Sequence, residues 1–173
     1  TGSFNVLEAA RQKNDNAVMM YTSTNKVYGN LLDIKLVENI KRWDFQDKKL
    51  IDGISESQPI NPESPYGCSK YAGDAYFQDY CRTYGLKTVV FRCSAMYGGQ
   101  QRVLEDQGWV GWFLKRASSD QEVTIYGDGK QVRDVLYVDD VFNAFRLAGE
   151  KTGKTKGNVY NIGGGRQNSI SIL

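Results

Sequence analysis

The residues of this chain best suited to proton transfer are a tyrosine and a lysine four positions apart, Tyr66 and Lys70. In a helix, positions i and i+4 lie one above the other on the same face. A cationic lysine next to a phenol stabilises the phenolate, so Tyr66 could exchange a proton with an alcohol. Hydroxyl side chains at 22–24 could bind the same substrate oxygen. The pattern predicts the oxidation of an alcohol to a ketone in a chain that contains no histidine.

Local signals predict that Tyr66 and Lys70 lie on a helix that ends at Tyr84. Ser64 is a good N-cap, and Pro65 suits the first helical position, where its missing N–H costs nothing. Gly85 supplies a C-terminal stop. An isolated Tyr-x-x-x-Lys more often decorates a helix surface, so the functional interpretation depends on the neighbouring elements.

Two apolar runs flank this helix and predict buried strands. Residues 17–21 are followed by three hydroxyl residues at 22–24, and residues 86–94 follow the helix. A strand, helix, strand unit implies parallel pairing, with sites at the carboxyl ends of the strands. Thr24, Tyr66 and Ser94 would then converge on one crevice.

Five ordered segments resemble the extended short-chain dehydrogenase/reductase family of nucleotide-sugar epimerases and dehydratases: 2–10, 22–29, 92–98, 126–140 and 160–164. The resemblance implies an α/β fold, a partial Rossmann-like doubly wound parallel sheet with part of a small substrate-binding region. We expect one domain over 1–173. Residues 1–98 would be half of the core, 99–135 the substrate-binding region and 136–173 a return to the core.

The residues after Thr24 narrow the resemblance. Sugar 4,6-dehydratases carry Asp-Glu there, the acid and base of their elimination, whereas this chain has Asn25 and Lys26. The same segment, together with 66–70, 96–99 and 106–113, looks most like the CDP-paratose 2-epimerase branch. That branch oxidises a sugar carbon with bound NAD and returns the hydride to the other face.

The resemblance implies a role for each matching residue. Tyr66 would be the acid/base, Lys70 would support it, and Thr24 would share the hydrogen bond to the substrate oxygen. The cofactor NAD would contact Thr22, Ser23, Tyr66, Lys70, Cys93 and Ser94. The nucleotide sugar, a CDP-sugar by preference, would contact Asn25, Lys26, Gln107, Gly108 and Arg133.

Simpler interpretations remain for several of these residues. Lys26 suits a solvated strand end equally well. Arg133 could form a surface ion pair with Asp134, although a guanidinium also binds phosphate oxygens bidentately. Three aromatic residues spaced i, i+3 and i+4 predict a core-facing helical stripe rather than a ligand site: Trp109, Trp112 and Phe113.

Composition excludes several other function classes. A formal net charge of +2 over 173 residues favours neither nucleic acid nor a membrane surface as partner. No apolar run reaches the roughly 18 residues of a membrane span. The three cysteines have spacings that suit neither zinc nor a disulfide framework, so we expect reduced thiols in a cytoplasm and no metal.

Two further expectations concern completeness and assembly. The family's Gly-x-x-Gly-x-x-Gly turn is not found in this sequence, which leaves open an inactive remnant that serves as a binding or structural module. The helices at 3–12 and 66–84 resemble the family's dimer helices, so we expect a homodimer.

The polar connection 31–63 is predicted to be an irregular segment and a candidate lid.

Overall fold

The computed structural model describes residues 2–13, 16–105 and 107–173. Its helices and strands, in chain order, are α1 Gly2–Lys13, β1 Val18–Thr24, β2 Leu36–Glu38, β3 Trp43–Phe45, α2 Pro65–Tyr84, β4 Lys87–Cys93, β5 Ala95–Tyr97, α3 Trp109–Ser118, β6 Val132–Tyr137, α4 Val138–Glu150, α5 Thr152–Thr155, β7 Val159–Ile162 and β8 Ser169–Ser171.

Contacts divide the chain into two compact units. The first comprises Thr1–Leu31, Ser55–Cys93 and Phe142–Ile162, and the second comprises Leu32–Ile54, Ser94–Val141 and Gly163–Leu173. The three segments expected from the sequence have other bounds, and their roles stay a prediction.

The first unit contains a three-stranded parallel sheet in the order β1-β4-β7. Thr24 at the end of β1 pairs with Cys93 at the end of β4, and Arg92 pairs with Asn161 of β7. Because α2 connects β1 to β4, this is the expected crossover unit, and both strands end at the same edge of the sheet.

Helices cover both faces of this sheet. On one face Leu7 of α1 and Phe77 of α2 pack with Val90, and on the other Ala148 of α4 packs with Phe91. The alternation of β4 side chains between two apolar layers explains why its sequence is apolar at successive positions. The first unit is therefore doubly wound, as the resemblance implied.

The ends of α2 follow from its capping residues. The Ser64 hydroxyl oxygen accepts a hydrogen bond from the Gly67 N–H at 3.0 Å, and Pro65 occupies the first turn. Gly85 has a left-handed φ of 71° and donates its N–H to the Cys81 carbonyl at 2.9 Å. Both predicted helix ends are confirmed.

In the second unit, β6 pairs in parallel with β5 and antiparallel with β8. The strands β2 and β3 form an antiparallel hairpin within the connection that was expected to be irregular, so that expectation was wrong for this part. The Trp43 indole N–H donates to Asp128 at 2.9 Å, and the Lys130 ammonium donates to Glu38 at 2.5 Å. The hairpin is thus fastened to the turn that precedes β6.

None of the helices in the described ranges is both long enough and apolar enough to cross a membrane.

Candidate active site

Thr24 ends β1 and begins the 3-10 turn Asn25–Tyr28. Its hydroxyl oxygen accepts a hydrogen bond from the Lys26 N–H at 3.3 Å and donates to the Asn25 side-chain oxygen at 3.4 Å. Thr24 is 6% exposed and lies beside Cys93 on the neighbouring strand. The turn therefore fixes the Thr24 side chain at the carboxyl end of the sheet.

Tyr66 lies in the first turn of α2, and its side chain is 55% exposed. The next residue, Gly67, lies against the 3-10 turn, since a Cβ at this position would be 3.0 Å from the Lys26 carbonyl oxygen. This close approach brings the start of α2 against the turn that Thr24 begins. Tyr66 and Thr24 therefore belong to two adjoining segments, while the convergence of Thr24, Tyr66 and Ser94 on one crevice stays a prediction.

Lys70 follows one turn later, and its ammonium lies 4.7 Å from the centre of the Tyr21 ring. Burial lowers the pKa of Lys70, and the nearby Cys93 thiol opposes that shift. Burial likewise raises the pKa of Cys93 to about 11, against the influence of Lys70. The Lys70 ammonium is thus held near the ends of β1 and β4. In the described chain no hydrogen bond joins the Lys70 and Tyr66 side chains.

Tyr21 is a site residue that the sequence analysis missed. Its hydroxyl donates to the Lys70 carbonyl oxygen at 3.2 Å. Its ring faces the Lys70 ammonium and packs against Phe77 in a tilted arrangement, with ring centres 4.9 Å apart. Burial raises the pKa of Tyr21, and the Asp74 carboxylate, followed by the Tyr66 phenol, adds to that shift. Strand alternation could have identified Tyr21 from the sequence, because Tyr21 lies two residues before Ser23 and so shares its face of the sheet.

The carboxyl end of β1 carries groups that suit a dinucleotide. Ser23 is 3% exposed, and its hydroxyl has no hydrogen-bond partner among the described residues. The Lys70 ammonium likewise forms no hydrogen bond within the described ranges. Thr22 adds a third polar side chain to this strand end. Hydroxyl and ammonium groups at the ends of parallel strands fit the sugar hydroxyls of a dinucleotide.

Ser94 lies in the second unit, between β4 and β5. Its hydroxyl is also buried without a partner among the residues that the structure describes.

The remaining substrate candidates lie in the second unit. Gly108 is the N-cap of α3 with a φ of 78°, and no side chain caps this helix. Gln107 is exposed, and its N–H donates to the Leu104 carbonyl at 3.1 Å. Both residues lie at the entrance of α3, and their contact with the nucleotide sugar stays a prediction.

Arg133 is exposed on β6 and donates to the Val132 carbonyl at 2.9 Å. Its neighbour Asp134 accepts the Gly164 N–H at 2.8 Å, and burial raises the pKa of Asp134. Within the described residues, the alternative Arg133–Asp134 ion pair does not form.

None of the residues of α3 is fully buried, and its aromatic residues make contacts within the helix. Trp109 meets Phe113 edge-on at 5.6 Å, and Trp112 contacts the cationic groups of Lys115 and Arg116 at 5.8 and 5.4 Å. The expected packing of this stripe against a core stays a prediction. The three aromatic residues are half-buried.

Comparisons with known proteins agree with this geometry. The sequence pattern of the NAD dependent epimerase/dehydratase family matches residues 1–163. The chain is 48% identical to CDP-paratose 2-epimerase of Salmonella typhi over 99% of its own length and 52% of that protein.

Two solved structures give the same result at the level of the fold. UDP-glucose 4-epimerase of Thermotoga maritima with UDP-glucose has a TM-score of 0.78 at 32% identity, covering 99% of this chain and 48% of that one. A dTDP-glucose 4,6-dehydratase of Bacillus anthracis in complex with NAD has a TM-score of 0.74 at 30% identity, with coverages of 99% and 47%. The chain spans about half the length of the curated relatives it matches. The strand ends, the Tyr-x-x-x-Lys helix and these matches together assign the chain to the NAD-dependent epimerase/dehydratase family.

Proposed function

We propose that this chain carries the catalytic and substrate-binding residues of an NAD-dependent epimerase that acts on a CDP-sugar. The supporting observation is the junction of α2 with the 3-10 turn, where Gly67 lies against the Lys26 carbonyl. It joins the segment of Tyr66 and Lys70 to the segment of Thr24. The CDP-sugar is inferred from the 48% identity to CDP-paratose 2-epimerase.

In this proposal, Tyr66 takes the proton from a sugar hydroxyl while the carbon becomes a ketone, and returns it when the alcohol reforms. The phenol is exposed, so it is accessible to a substrate. The half-buried Lys70 ammonium provides positive charge at the same strand ends, which favours a phenolate and a developing oxyanion. The Thr24 hydroxyl donates a hydrogen bond to the same substrate oxygen.

NAD, when bound, would supply the hydride acceptor that returns the hydride to the opposite face of the sugar carbon. Thr22, Ser23, Lys70, Cys93 and Ser94 are the residues of this chain proposed to hold it. The buried, unpartnered Ser23 and Ser94 hydroxyls support this assignment, since buried polar groups otherwise have partners.

The proposed substrate contacts divide by chemistry. Asn25 and Lys26 follow Thr24 directly and would bind the sugar. The Arg133 guanidinium would bind the diphosphate, because it can donate to two phosphate oxygens at once. Gln107 and the uncapped start of α3 at Gly108 would bind the nucleotide.

A dehydratase activity is less compatible with the residues after Thr24. Dehydratases also occur among the relatives, at 32% identity in Neisseria meningitidis. Elimination of water needs an acid and a base at the sugar, and Asn25 provides only an amide. The Asn25 side chain instead accepts from the Thr24 hydroxyl.

The test is conversion of CDP-paratose by the protein at its native length, with NAD binding measured on the same sample by calorimetry. We expect Tyr66→Phe to lower kcat by about 10²-fold or more with NAD affinity unchanged, because it removes only the acid/base. Tyr84→Phe is the matched control, since Tyr84 lies on the same helix and is 51% exposed. It should leave kcat unchanged.

If Tyr66→Phe converted CDP-paratose at the wild-type rate, the acid/base role of Tyr66 would be refuted. If the protein neither bound NAD nor converted a CDP-sugar, it would be the inactive binding or structural module instead.

A further inference from the structure

We propose that Arg92 is a positioning residue that holds the helix of Tyr66 and Lys70 and the turn of Thr24 in one fixed arrangement. The inference deepens the proposed function and rests on it. It is carried by a polar network in the first unit that includes none of the residues assigned to catalysis, with a buried centre formed by Tyr28, Asp74 and Arg92. Its members are Tyr28, Glu56, Asp74, Arg92 and Asn161.

The centre of the network is an ion pair between β4 and α2. Arg92 Nε donates to Asp74 Oδ2 at 2.9 Å, and a terminal nitrogen donates to Oδ1 at 3.3 Å. Arg92 is 5% exposed and Asp74 is 0% exposed. Two parallel hydrogen bonds between planar groups fix direction as well as distance. Asp74 lies one turn beyond Lys70, so the pair sets the rotation of the catalytic face of α2.

The second arm reaches the turn that begins at Thr24. The other terminal nitrogen of Arg92 donates to the Tyr28 hydroxyl at 2.8 Å, and that hydroxyl donates to the Asn161 side-chain oxygen at 2.7 Å. The guanidinium carbon also lies 5.1 Å from the centre of the Tyr28 ring. Tyr28 is the last residue of the 3-10 turn, so Thr24 fixes one end of the turn and the network fixes the other.

The third arm holds the chain segment that leads into α2. The Glu56 carbonyl oxygen lies 3.5 Å from Arg92, and the Glu56 carboxylate accepts the Asn161 N–H at 2.7 Å. Further along this segment, the Asn61 N–H donates to the Val27 carbonyl at 2.9 Å. Arg92 therefore connects β4 to α2, to the 3-10 turn and to the segment between them.

The charge of Arg92 is fixed. Burial acts to lower the pKa of Arg92, but the hydrogen bonds to Asp74 and Tyr28 outweigh it and raise the pKa. Because its guanidinium stays charged, Arg92 acts by fixing the positions of its hydrogen-bond partners and not by transferring protons. Well-packed apolar side chains can stabilise a helix on a sheet as much as a buried ion pair does. What this network adds is the orientation of α2, because its hydrogen bonds fix direction as well as distance.

The most discriminating variant is Tyr28→Phe, which keeps the buried ring and removes the hydroxyl that joins Arg92 to Asn161. We expect kcat to fall by about 10-fold or more, because small displacements of catalytic groups are costly. The KM for the CDP-sugar and the affinity for NAD should stay within about 2-fold of wild type, since no binding group changes. The matched control is Tyr160→Phe, which loses one hydroxyl contact on β7, with Asn158 at 3.2 Å.

Amide hydrogen exchange on the same variants provides a readout that does not depend on turnover. Tyr28→Phe should speed exchange in residues 25–28 and in the first turns of α2, and leave α4 unchanged. Arg92→Lys keeps the charge but not the planar fork, so it should lower kcat at least as much as Tyr28→Phe.

The inference is overturned if Tyr28→Phe has wild-type kcat and wild-type exchange in α2, if Tyr160→Phe gives the same changes, or if Arg92→Lys is fully active. If the wild-type protein does not epimerise, the proposed function fails. The exchange pattern then decides alone whether Arg92 orients α2.

Discussion

Two glycines of α2 decide how closely this helix approaches its neighbours. Gly67 lies against the Lys26 carbonyl, and a side chain at Gly73 would overlap the outer end of the Tyr21 ring. That ring cannot move freely, because it packs against Phe77 and its hydroxyl donates to the Lys70 carbonyl. The same contact therefore supports the helix packing and the placement of the Lys70 ammonium.

We expect Gly73→Ala to destabilise the protein by about 1 kcal/mol. Overpacking costs about 1–3 kcal/mol, and the better helix propensity of alanine returns at most about 1 kcal/mol. The control is Gly153→Ala, because Gly153 lies in α5 with no neighbouring atom in the way of a Cβ. Urea unfolding of the two variants measures the difference. Equal free energies of unfolding for the two variants would show that the Tyr21 ring moves aside without loss of stability.

Some site residues could be predicted from local sequence and others could not. Ser64, Pro65 and Gly85 define α2 through contacts within a few residues, so Tyr66 and Lys70 were correctly placed on a helix. The support of Lys70 by Tyr21 depends on how α2 rotates over the sheet, which local sequence does not encode. The only advance sign of the Arg92 network was an arginine within an apolar strand, which requires a buried partner.

At the scale of elements, α1 and α2 are joined by a polar cluster at their surface. The Arg11 guanidinium donates twice to the Glu8 carboxylate at 2.9 Å, and the Tyr80 hydroxyl donates to it at 2.7 Å. These hydrogen bonds, from Arg11 first and then Tyr80, lower the pKa of Glu8 to about 2. Burial, followed by the bond to Glu8, raises the pKa of Tyr80 to about 12.

This cluster predicts a pH dependence of stability. The pKa of Glu8 is about 2 in the folded protein and near its usual 4.5 in the unfolded chain. The stabilisation of the folded state by ionised Glu8 is therefore fully present above pH 4.5. It is lost as the pH falls towards 2. The difference in unfolding free energy between wild type and Glu8→Gln should therefore shrink over that range, as measured by urea unfolding.

Tyr80→Phe removes one of the three side chains that donate hydrogen bonds to Glu8, the others being Arg11 and Gln12. The variant should therefore narrow the pH range over which the stability difference changes. A wild-type to Glu8→Gln difference that stays constant from pH 5 to pH 2.5 would contradict this account of the cluster.

Other elements show why element prediction from sequence was uneven. The strands β1 and β4 are long apolar runs, and their parallel pairing was predicted correctly. The hairpin β2–β3 has strands of three residues without clear alternation, and it is fastened by long-range contacts such as Trp43 with Asp128. Long-range contacts leave no mark in the local sequence pattern, so the sequence analysis missed the hairpin.

At the scale of the whole molecule, α1 and α2 leave apolar side chains exposed. Val6 and Phe4 of α1 are 52% and 42% exposed, and Tyr84 and Tyr76 of α2 are 51% and 42% exposed. Exposed apolar groups on adjacent elements are typical of protein interfaces. They support the prediction of a homodimer through these two helices.

We expect light scattering at micromolar concentration to give the mass of a dimer, and Val6→Glu to shift it towards the monomer, since a buried unpaired charge is costly. Val123→Glu is the control, because Val123 is an exposed valine of the second unit and belongs to neither of the two helices. A monomeric wild type would contradict the prediction, and so would equal effects of both substitutions.

The proposal that the sugar carbon is transiently oxidised is tested most directly by isotope transfer. CDP-paratose carrying deuterium at C2 would be incubated with the protein and NAD in ordinary water, and the product examined by NMR. We predict a product in which C2 is inverted and keeps its deuterium, because the hydrogen removed is the hydrogen returned. Replacement of that deuterium by solvent hydrogen, or no inversion at all, would contradict it.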